Sequence, residues 1–238
     1  MSASIKWFPP SWLQIKTADK TIYIDTAYLG TYFTNYPKKI EFSRWPDPID
    51  GLPEKNPEKA DLILLTHHHK DHCKRVTVNR LKGADTLVAA PRQCIKELGK
   101  DIKVIAPWEE ITSGDIRIKA VDAYNTMEVS STRKVHHKGY GVGYLITLEG
   151  KTIYHAGDTD FIPEMKEPGD MDAALLPIGG TFTMDAQEAV KAAITIKPAV
   201  VIPMHMKKAD PQEFKKNVEA RSNIKVVPLQ IGEIYKLK

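Results

Sequence analysis

The chain has 238 residues, of which 42% are hydrophobic and 27% charged, and its formal net charge at pH 7 is +4. This composition is typical of a globular protein, and the weak positive charge falls short of that of a nucleic-acid-binding domain. No apolar run approaches the roughly 18 residues that cross a membrane, and two cysteines are too few for a disulfide framework, so we expect a cytoplasmic protein without membrane contacts.

The first part of the chain predicts a hairpin and then a long irregular loop. Residues 11–15 and 21–25 have the pattern of strands, and the second ends at Asp25. A carboxylate there either orients a ligand histidine or caps the next turn. Residues 32–59 combine prolines with aromatic residues, which indicates either a loop packed over the functional site or a plain surface loop.

A histidine-rich loop follows the apolar strand predicted at residues 61–65, with the sequence Thr66-His67-His68-His69-Lys70-Asp71-His72. Alternate residues of an extended chain point the same way, so His67 and His69 can bind one metal ion from one side. After a turn, Asp71 and His72 face a second position, and zinc, manganese and iron(II) accept such ligands. A solvated polar loop is the alternative, but half of the chain's eight histidines lie in these six residues.

The remaining elements alternate between strands and helices, which predicts the α/β class and, in the absence of repeats or linkers, one domain over residues 1–238. We predict helices at 74–81, 92–98, 185–196 and 210–219, and strands at 86–90, 116–121, 139–148, 151–155 and 200–204.

Two of the later strands end in residues that can bind metal. Gly157 lets the chain turn tightly after the strand at 151–155, which leaves Asp158 beyond the sheet, and His205 follows the strand at 200–204. A carboxylate has two oxygens, so Asp158 can hold two metals at the spacing of roughly 3.5–4 Å found in binuclear hydrolases. Each residue alone is a weak signal, but the histidine loop strengthens both.

Together these motifs resemble the metallo-β-lactamase superfamily, especially its stand-alone hydrolase branch, which includes L-ascorbate phosphate lactonase. The resemblance implies a four-layer αββα sandwich with two metals at one edge. It assigns His67 and His69 to the first metal, makes Asp158 the bridge, and places the second metal with Asp71, His72 and His205.

The chain departs from the family pattern at one ligand position. Many members have a further first-site histidine where this chain has Asn125, which is a poor zinc ligand. His136 or His137 could replace it from the following loop, and the related pattern His-Pro-Lys-Gly favours His136. If neither does, a site with one metal becomes plausible.

The predicted activity is hydrolysis by a metal-bound hydroxide, because divalent metals lower the pKa of bound water to about 7. Asp71 and Asp158 are the predicted catalytic residues, and the cofactors are two divalent ions, with zinc favoured over manganese or iron. Nearby cations favour a small anionic ester, lactone or phosphodiester: Lys134, His137, Lys138, Lys207 and Lys208. The alternatives are a non-catalytic sensor or partner-binding module, or a nuclease. The general acid, for which His137, Tyr124 and Lys138 are candidates, and homo-oligomerisation stay open.

Overall fold

The computed structural model describes residues 3–26, 57–127, 131–167 and 169–237. Contacts divide the chain into two compact units, which we call unit 1 (Met1–Val104 with Gln230–Lys238) and unit 2 (Ile105–Leu229). Each unit contains one β-sheet and short helices, so the predicted α/β class is confirmed. The single domain predicted over residues 1–238 stays a prediction.

The described residues of unit 1 form a seven-stranded sheet with the order β14-β1-β2-β3-β4-β5-β6. Its strands are Ser4–Phe8 (β1), Trp12–Lys16 (β2), Thr21–Ile24 (β3), Ala60–Leu64 (β4), Lys82–Ala90 (β5), Lys103–Val104 (β6) and Ile234–Lys236 (β14). Pairing is antiparallel from β14 to β3 and parallel from β3 to β6. The carboxyl ends of β3 and β4 therefore lie side by side, which brings the residue after β3 close to the start of the histidine loop.

Two helices, Arg75–Leu81 (α1) and Ile95–Leu98 (α2), accompany this sheet in the described part of unit 1, and α2 continues the 3-10 turn Arg92–Cys94. A buried cluster includes Trp12, whose ring meets that of Tyr23 edge-on at 6.2 Å. Cys73 belongs to the same cluster, and a hydrogen bond to Cys94 together with burial holds its pKa far above the ordinary value. Cys73 is therefore a neutral core side chain.

The described residues of unit 2 form a second seven-stranded sheet with the order β13-β12-β11-β10-β9-β8-β7. Its strands are Glu110–Ser113 (β7), Ile116–Ala123 (β8), Gly141–Leu148 (β9), Lys151–His155 (β10), Ala173–Pro177 (β11), Val200–Met204 (β12) and Lys225–Val226 (β13). Pairing is antiparallel from β7 to β10 and parallel from β10 to β13. The parallel strands end at one edge, where Asp158 and His205 follow β10 and β12.

Two longer helices belong to unit 2, and the side chain of the preceding aspartate caps each of them. Asp185 accepts a hydrogen bond from the Glu188 N–H before Ala186–Ile196 (α3), and Asp210 accepts one from the Gln212 N–H before Pro211–Glu219 (α4). Such a cap is worth about 1 kcal/mol. Both helices begin where the sequence predicts.

The other predicted elements also agree with the structure to within a few residues, including the turn at Glu149-Gly150 between β9 and β10. Strands β1 and β14 were not predicted. The loop predicted over residues 32–59 lies, up to residue 56, outside the described residues. Within the described ranges, no helix has both the length and the apolar surface needed to cross a membrane.

Candidate metal centre

The histidine loop leaves β4 in an extended conformation and then turns back. His67 is buried, His68 exposed and His69 half-buried, which is the alternation expected of an extended segment. The loop closes because the N–H groups of His72 and Cys73 donate to the His69 carbonyl at 3.0 and 2.8 Å. This turn brings the His72 ring to 4.1 Å from that of His67.

A buried carboxylate, Asp25, organises this loop from the end of β3. It accepts hydrogen bonds from the backbone N–H and the hydroxyl of Thr66, both at 2.7 Å, and lies 2.8 Å from Nδ1 of His72. Asp25 therefore contacts a histidine of the loop, as one of the two sequence interpretations predicts. Because a carboxylate only accepts hydrogen bonds, Nδ1 of His72 carries a proton and Nε2 holds the lone pair of a neutral ring.

The same chain of hydrogen bonds fixes the tautomer of His67. The Thr66 hydroxyl has one proton, which it donates to Asp25, so it accepts from Nδ1 of His67 at 2.9 Å. Nε2 of a neutral His67 ring is therefore also a lone-pair atom. The sequence analysis did not identify Thr66, although its position directly before the first histidine could have indicated it.

All four ligands predicted in the loop lie close together in unit 1. The ligand atoms of His67 and His69 lie within 4.8 Å of each other. Nε2 of His72 lies 3.8 Å from a carboxylate oxygen of Asp71. The loop therefore concentrates three imidazoles and a carboxylate whose side chains are buried or half-buried.

Unit 2 brings its three predicted ligands together from distant parts of the sequence. Asp158 is buried, and its Oδ2 lies 3.5 Å from Nε2 of His136 and 3.3 Å from Nε2 of His205. The chain reaches this point through Gly157, whose φ of 66° permits the tight turn after β10. Two imidazole nitrogens therefore face one carboxylate.

His205 depends on a glycine in the neighbouring segment. The His205 backbone adopts a left-handed conformation, with φ 47°, and its carbonyl oxygen faces Gly179. A Cβ at position 179 would overlap that oxygen well inside van der Waals contact. This close approach explains the Gly-Gly pair after β11.

The structure places His136, and not His137, at Asp158. His136 is buried, while His137 is exposed and its ring lies 5.6 Å from that of Tyr140. Asn125 also approaches His136, since its Oδ1 accepts a hydrogen bond from the His136 backbone N–H at 2.9 Å. Of the three residues considered for this position, His136 is the one with an imidazole nitrogen beside Asp158.

His155 is buried next to this group but is oriented differently. Its Nδ1 accepts a hydrogen bond from the Gly157 N–H at 3.2 Å, so a neutral ring carries its proton on Nε2. The Nδ1 lone pair is therefore used by the backbone. This agrees with the interpretation of His155 as a supporting residue.

The predicted cations of unit 2 are partly neutralised by neighbouring carboxylates. Lys134 lies 3.3 Å from Asp160, and Lys138 lies 2.6 Å from Glu164. Lys207 instead stacks over the ring of Phe182 at 4.0 Å, and Arg133 lies 5.8 Å from the same ring. Positive charge therefore concentrates around Phe182.

Two of the general-acid candidates share Glu164. The Tyr124 hydroxyl donates to this carboxylate at 3.0 Å, and burial followed by the contact with Glu164 raises the pKa of Tyr124. The hydrogen bond to Glu164 also raises the pKa of Lys138. Both groups are therefore held in their protonated forms.

Comparisons with known proteins agree on one family. A family model described as a beta-lactamase superfamily domain matches residues 4–205. A metal-dependent hydrolase of Thermoplasma acidophilum is 40% identical over 167 residues, covering 66% of this chain and 72% of the relative. One from Methanopyrus kandleri is 36% identical over 210 residues, covering 79% and 90%. A solved Parabacteroides distasonis structure, described as a metal-dependent hydrolase, has a TM-score of 0.79 at 30% identity and covers 94% and 91% of the chains.

Proposed function

The chain belongs to the metallo-β-lactamase superfamily, and we propose that it is a hydrolase that uses two divalent metal ions to cleave a small, anionic ester, lactone or phosphodiester. The named relatives in Thermoplasma acidophilum and Methanopyrus kandleri are metal-dependent hydrolases. The activity is therefore a proposal from family membership and from the donor groups of each unit.

The orientation of lone pairs toward carboxylates carries this proposal. In unit 1, the Nε2 lone pair of a neutral His72 faces an Asp71 oxygen at 3.8 Å, because Asp25 holds the proton on Nδ1. In unit 2, Nε2 of His136 faces Asp158 at 3.5 Å. Two lone-pair atoms at these distances repel unless a cation or a proton lies between them. Such pairs fit a divalent metal, which neutral imidazole and carboxylate ligands bind.

We assign the ligands as the sequence analysis did, with His136 completing the first set. His67, His69 and His136 would bind one metal, Asp71, His72 and His205 the other, and Asp158 both. This donor set favours zinc, and manganese or iron(II) also accept it. Support comes from the chemistry of the groups in each unit and from the family.

The metals would supply a nucleophile, since they lower the pKa of bound water to about 7. The protein's own residues would orient and protonate. Asp71 is half-buried beside His72 and would accept a hydrogen bond from the attacking water. Tyr124 and Lys138, which stay protonated beside Glu164, are the candidates for donating a proton to the leaving group.

The cations at Phe182 support an anionic substrate. Arg133 is exposed and Lys207 half-buried, and both lie over the Phe182 ring rather than in an ion pair among the described residues. Lys134 and Lys138 contribute less, because Asp160 and Glu164 neutralise them. The structure therefore shifts the expected anion contact from the predicted lysines toward the two cations at Phe182.

The test is hydrolysis by zinc- or manganese-loaded protein of a phosphodiester, a lactone, a thioester and a β-lactam, with Asp158→Ala as the blank. Turnover of one class by the wild-type protein alone, with two metals per chain by elemental analysis, would support the proposal. Full metal content without turnover on a wider panel would favour a binding module. Salt-sensitive binding of nucleic acid, measured by gel shift, would favour a nuclease. A cytoplasmic location stays a prediction.

A further inference from the structure

Asn125 is surrounded by hydrogen-bonding groups that fix the orientation of its side-chain amide. Its Oδ1 accepts from the N–H groups of Val135 and His136 at 3.1 and 2.9 Å. Its Nδ2 donates to the Phe182 carbonyl at 2.8 Å and to Asp160 at 3.2 Å. A flipped amide would set its NH₂ against two N–H donors and its oxygen against two acceptors, so only the observed orientation satisfies these groups.

This orientation determines where the proton of His136 lies. Nδ1 of His136 lies 3.2 Å from Oδ1 of Asn125 and 3.0 Å from the Phe182 carbonyl oxygen. Both neighbours are acceptors, so Nδ1 must be the donor, and Nε2 is the lone-pair atom of a neutral ring. The backbone reinforces the arrangement, because the Asn125 N–H donates to the His136 carbonyl at 2.8 Å.

Asp160 anchors the amide from the other side. It is fully buried and accepts, besides the Asn125 amide, hydrogen bonds from the Thr126 N–H at 2.8 Å and the Ser131 hydroxyl at 2.8 Å. Lys134 lies 3.3 Å away and balances its charge. A buried carboxylate with these partners is a rigid point of attachment, so the Asn125 amide has little freedom to rotate.

We propose that Asn125 is a positioning residue that holds the His136 imidazole in its Nδ1-protonated form, with Nε2 directed at Asp158 and available to a metal ion. The inference rests on the proposed function for the metal, but not for the tautomer. Asn125 thus acts through His136, since its own amide is occupied by hydrogen bonds on both of its polar atoms.

The first experiment measures the tautomer of His136 in metal-free protein by long-range ¹H–¹⁵N NMR correlation. We expect the Nδ1–H form in the wild type and a measurable fraction of the Nε2–H form in Asn125→Ala. Ser131→Ala is the matched control, because it removes another hydrogen bond to Asp160 without touching the imidazole, and its tautomer should equal that of the wild type.

Asn125→Asp separates positioning from stability. A carboxylate keeps the acceptor for His136 but places a second oxygen against Phe182 and Asp160, so this variant should be less stable than the wild type. We nevertheless expect it to retain the Nδ1–H form. A merely structural role predicts the opposite, namely that the tautomer follows the loss of stability across the three variants, and this result would overturn the inference.

The second experiment measures zinc affinity by competition with a chelator and the coordination of Co²⁺ by visible absorption. Asn125→Ala should lose about 10- to 100-fold in affinity, as is typical when a partner of a ligand histidine is removed, and its Co²⁺ spectrum should change. Ser131→Ala should change little. An unchanged tautomer and affinity in Asn125→Ala would overturn the inference. If the wild type binds no metal while the tautomers respond as expected, the proposed function fails and the orienting role of Asn125 stands.

Discussion

The two units orient their histidines with different groups. In unit 1, a buried carboxylate, Asp25, accepts from His72 directly and reaches His67 through the Thr66 hydroxyl. In unit 2, a neutral amide and a backbone carbonyl receive the proton of His136. A carboxylate partner makes an imidazole a more basic ligand, whereas an amide fixes its direction without adding charge. The comparison suggests that unit 1 supplies binding strength and unit 2 supplies geometry.

The largest effect should come from Asp25→Ala, which removes the charged partner. The Thr66 N–H, the Thr66 hydroxyl and His72 would lose a common buried acceptor, at a cost of about 3–5 kcal/mol in the free energy of unfolding. Urea unfolding measures this, and chelator competition should show weaker zinc binding. Asp25→Asn, which keeps the shape, should lie between. A loss no larger than that of Ser131→Ala would break the comparison.

Metal removal should have the next largest effect. Free metal at 100 times its dissociation constant stabilises a protein by about 2.7 kcal/mol per site. We therefore expect a chelator to lower the thermal midpoint of the wild type and to change that of Asp25→Ala much less. Calorimetric scans with and without chelator measure both shifts. Equal shifts in the two proteins would show that unit 1 does not supply binding strength.

Gly179→Ala tests the geometric side of the comparison. The added methyl overlaps the His205 carbonyl, and such overpacking costs about 1–3 kcal/mol. Zinc affinity should fall as well, because His205 must move. Gly150→Ala is the control, since Gly150 has φ 72° in open space and a methyl there strains only the turn. A control that weakened zinc binding equally would show that the effect is general destabilisation.

The smallest effect should come from Lys138→Met, which leaves both sets of histidines intact. Its pair with Glu164 is exposed, so we expect at most about 0.5 kcal/mol. The pKa of Lys138 is raised, so its contribution is present below the ordinary lysine pKa and is lost as the pH rises through the raised value. Burial alone would raise the pKa of Glu164, but the hydrogen bonds from Lys138 and Tyr124 lower it. Its contribution is therefore present above the ordinary glutamate pKa and is lost as the pH falls.

The measurement for this variant is the urea midpoint of both proteins across the pH range. The gap between them should be constant between the two ordinary pKa values and should close at both extremes. A large gap at neutral pH would mean that charges outside the histidine sets stabilise unit 2 as much as the orienting groups do.

The sequence predicts unit 1's histidine set better than unit 2's because the ligands are contiguous in one and dispersed in the other. His67 to His72 form one loop after one strand, so their spacing shows which side chains point together. The choice among Asn125, His136 and His137 depends on hydrogen bonds to Phe182 and on the distance to Asp158, which no local pattern encodes.

The same reason explains the elements that were missed. β14 has three residues, and it is ordered by pairing with β1, more than 220 residues earlier in the chain. β1 does alternate, with Ile5 and Trp7 buried, and its pattern was readable. Asp160 was overlooked because a carboxylate two residues after Asp158 carries no sign of the donors that converge on it from residues 125–134.

The pairing of β14 with β1 also has a consequence for synthesis on the ribosome. All strands of unit 2 come from one uninterrupted stretch, whereas the outer strand of the unit 1 sheet is translated after every strand of unit 2. Until residue 236 emerges, the nascent chain carries β1 with its outer edge unpaired, and such an edge can pair with other chains. The histidine loop is thus made early, while the sheet that holds it is among the last parts of the protein to be finished.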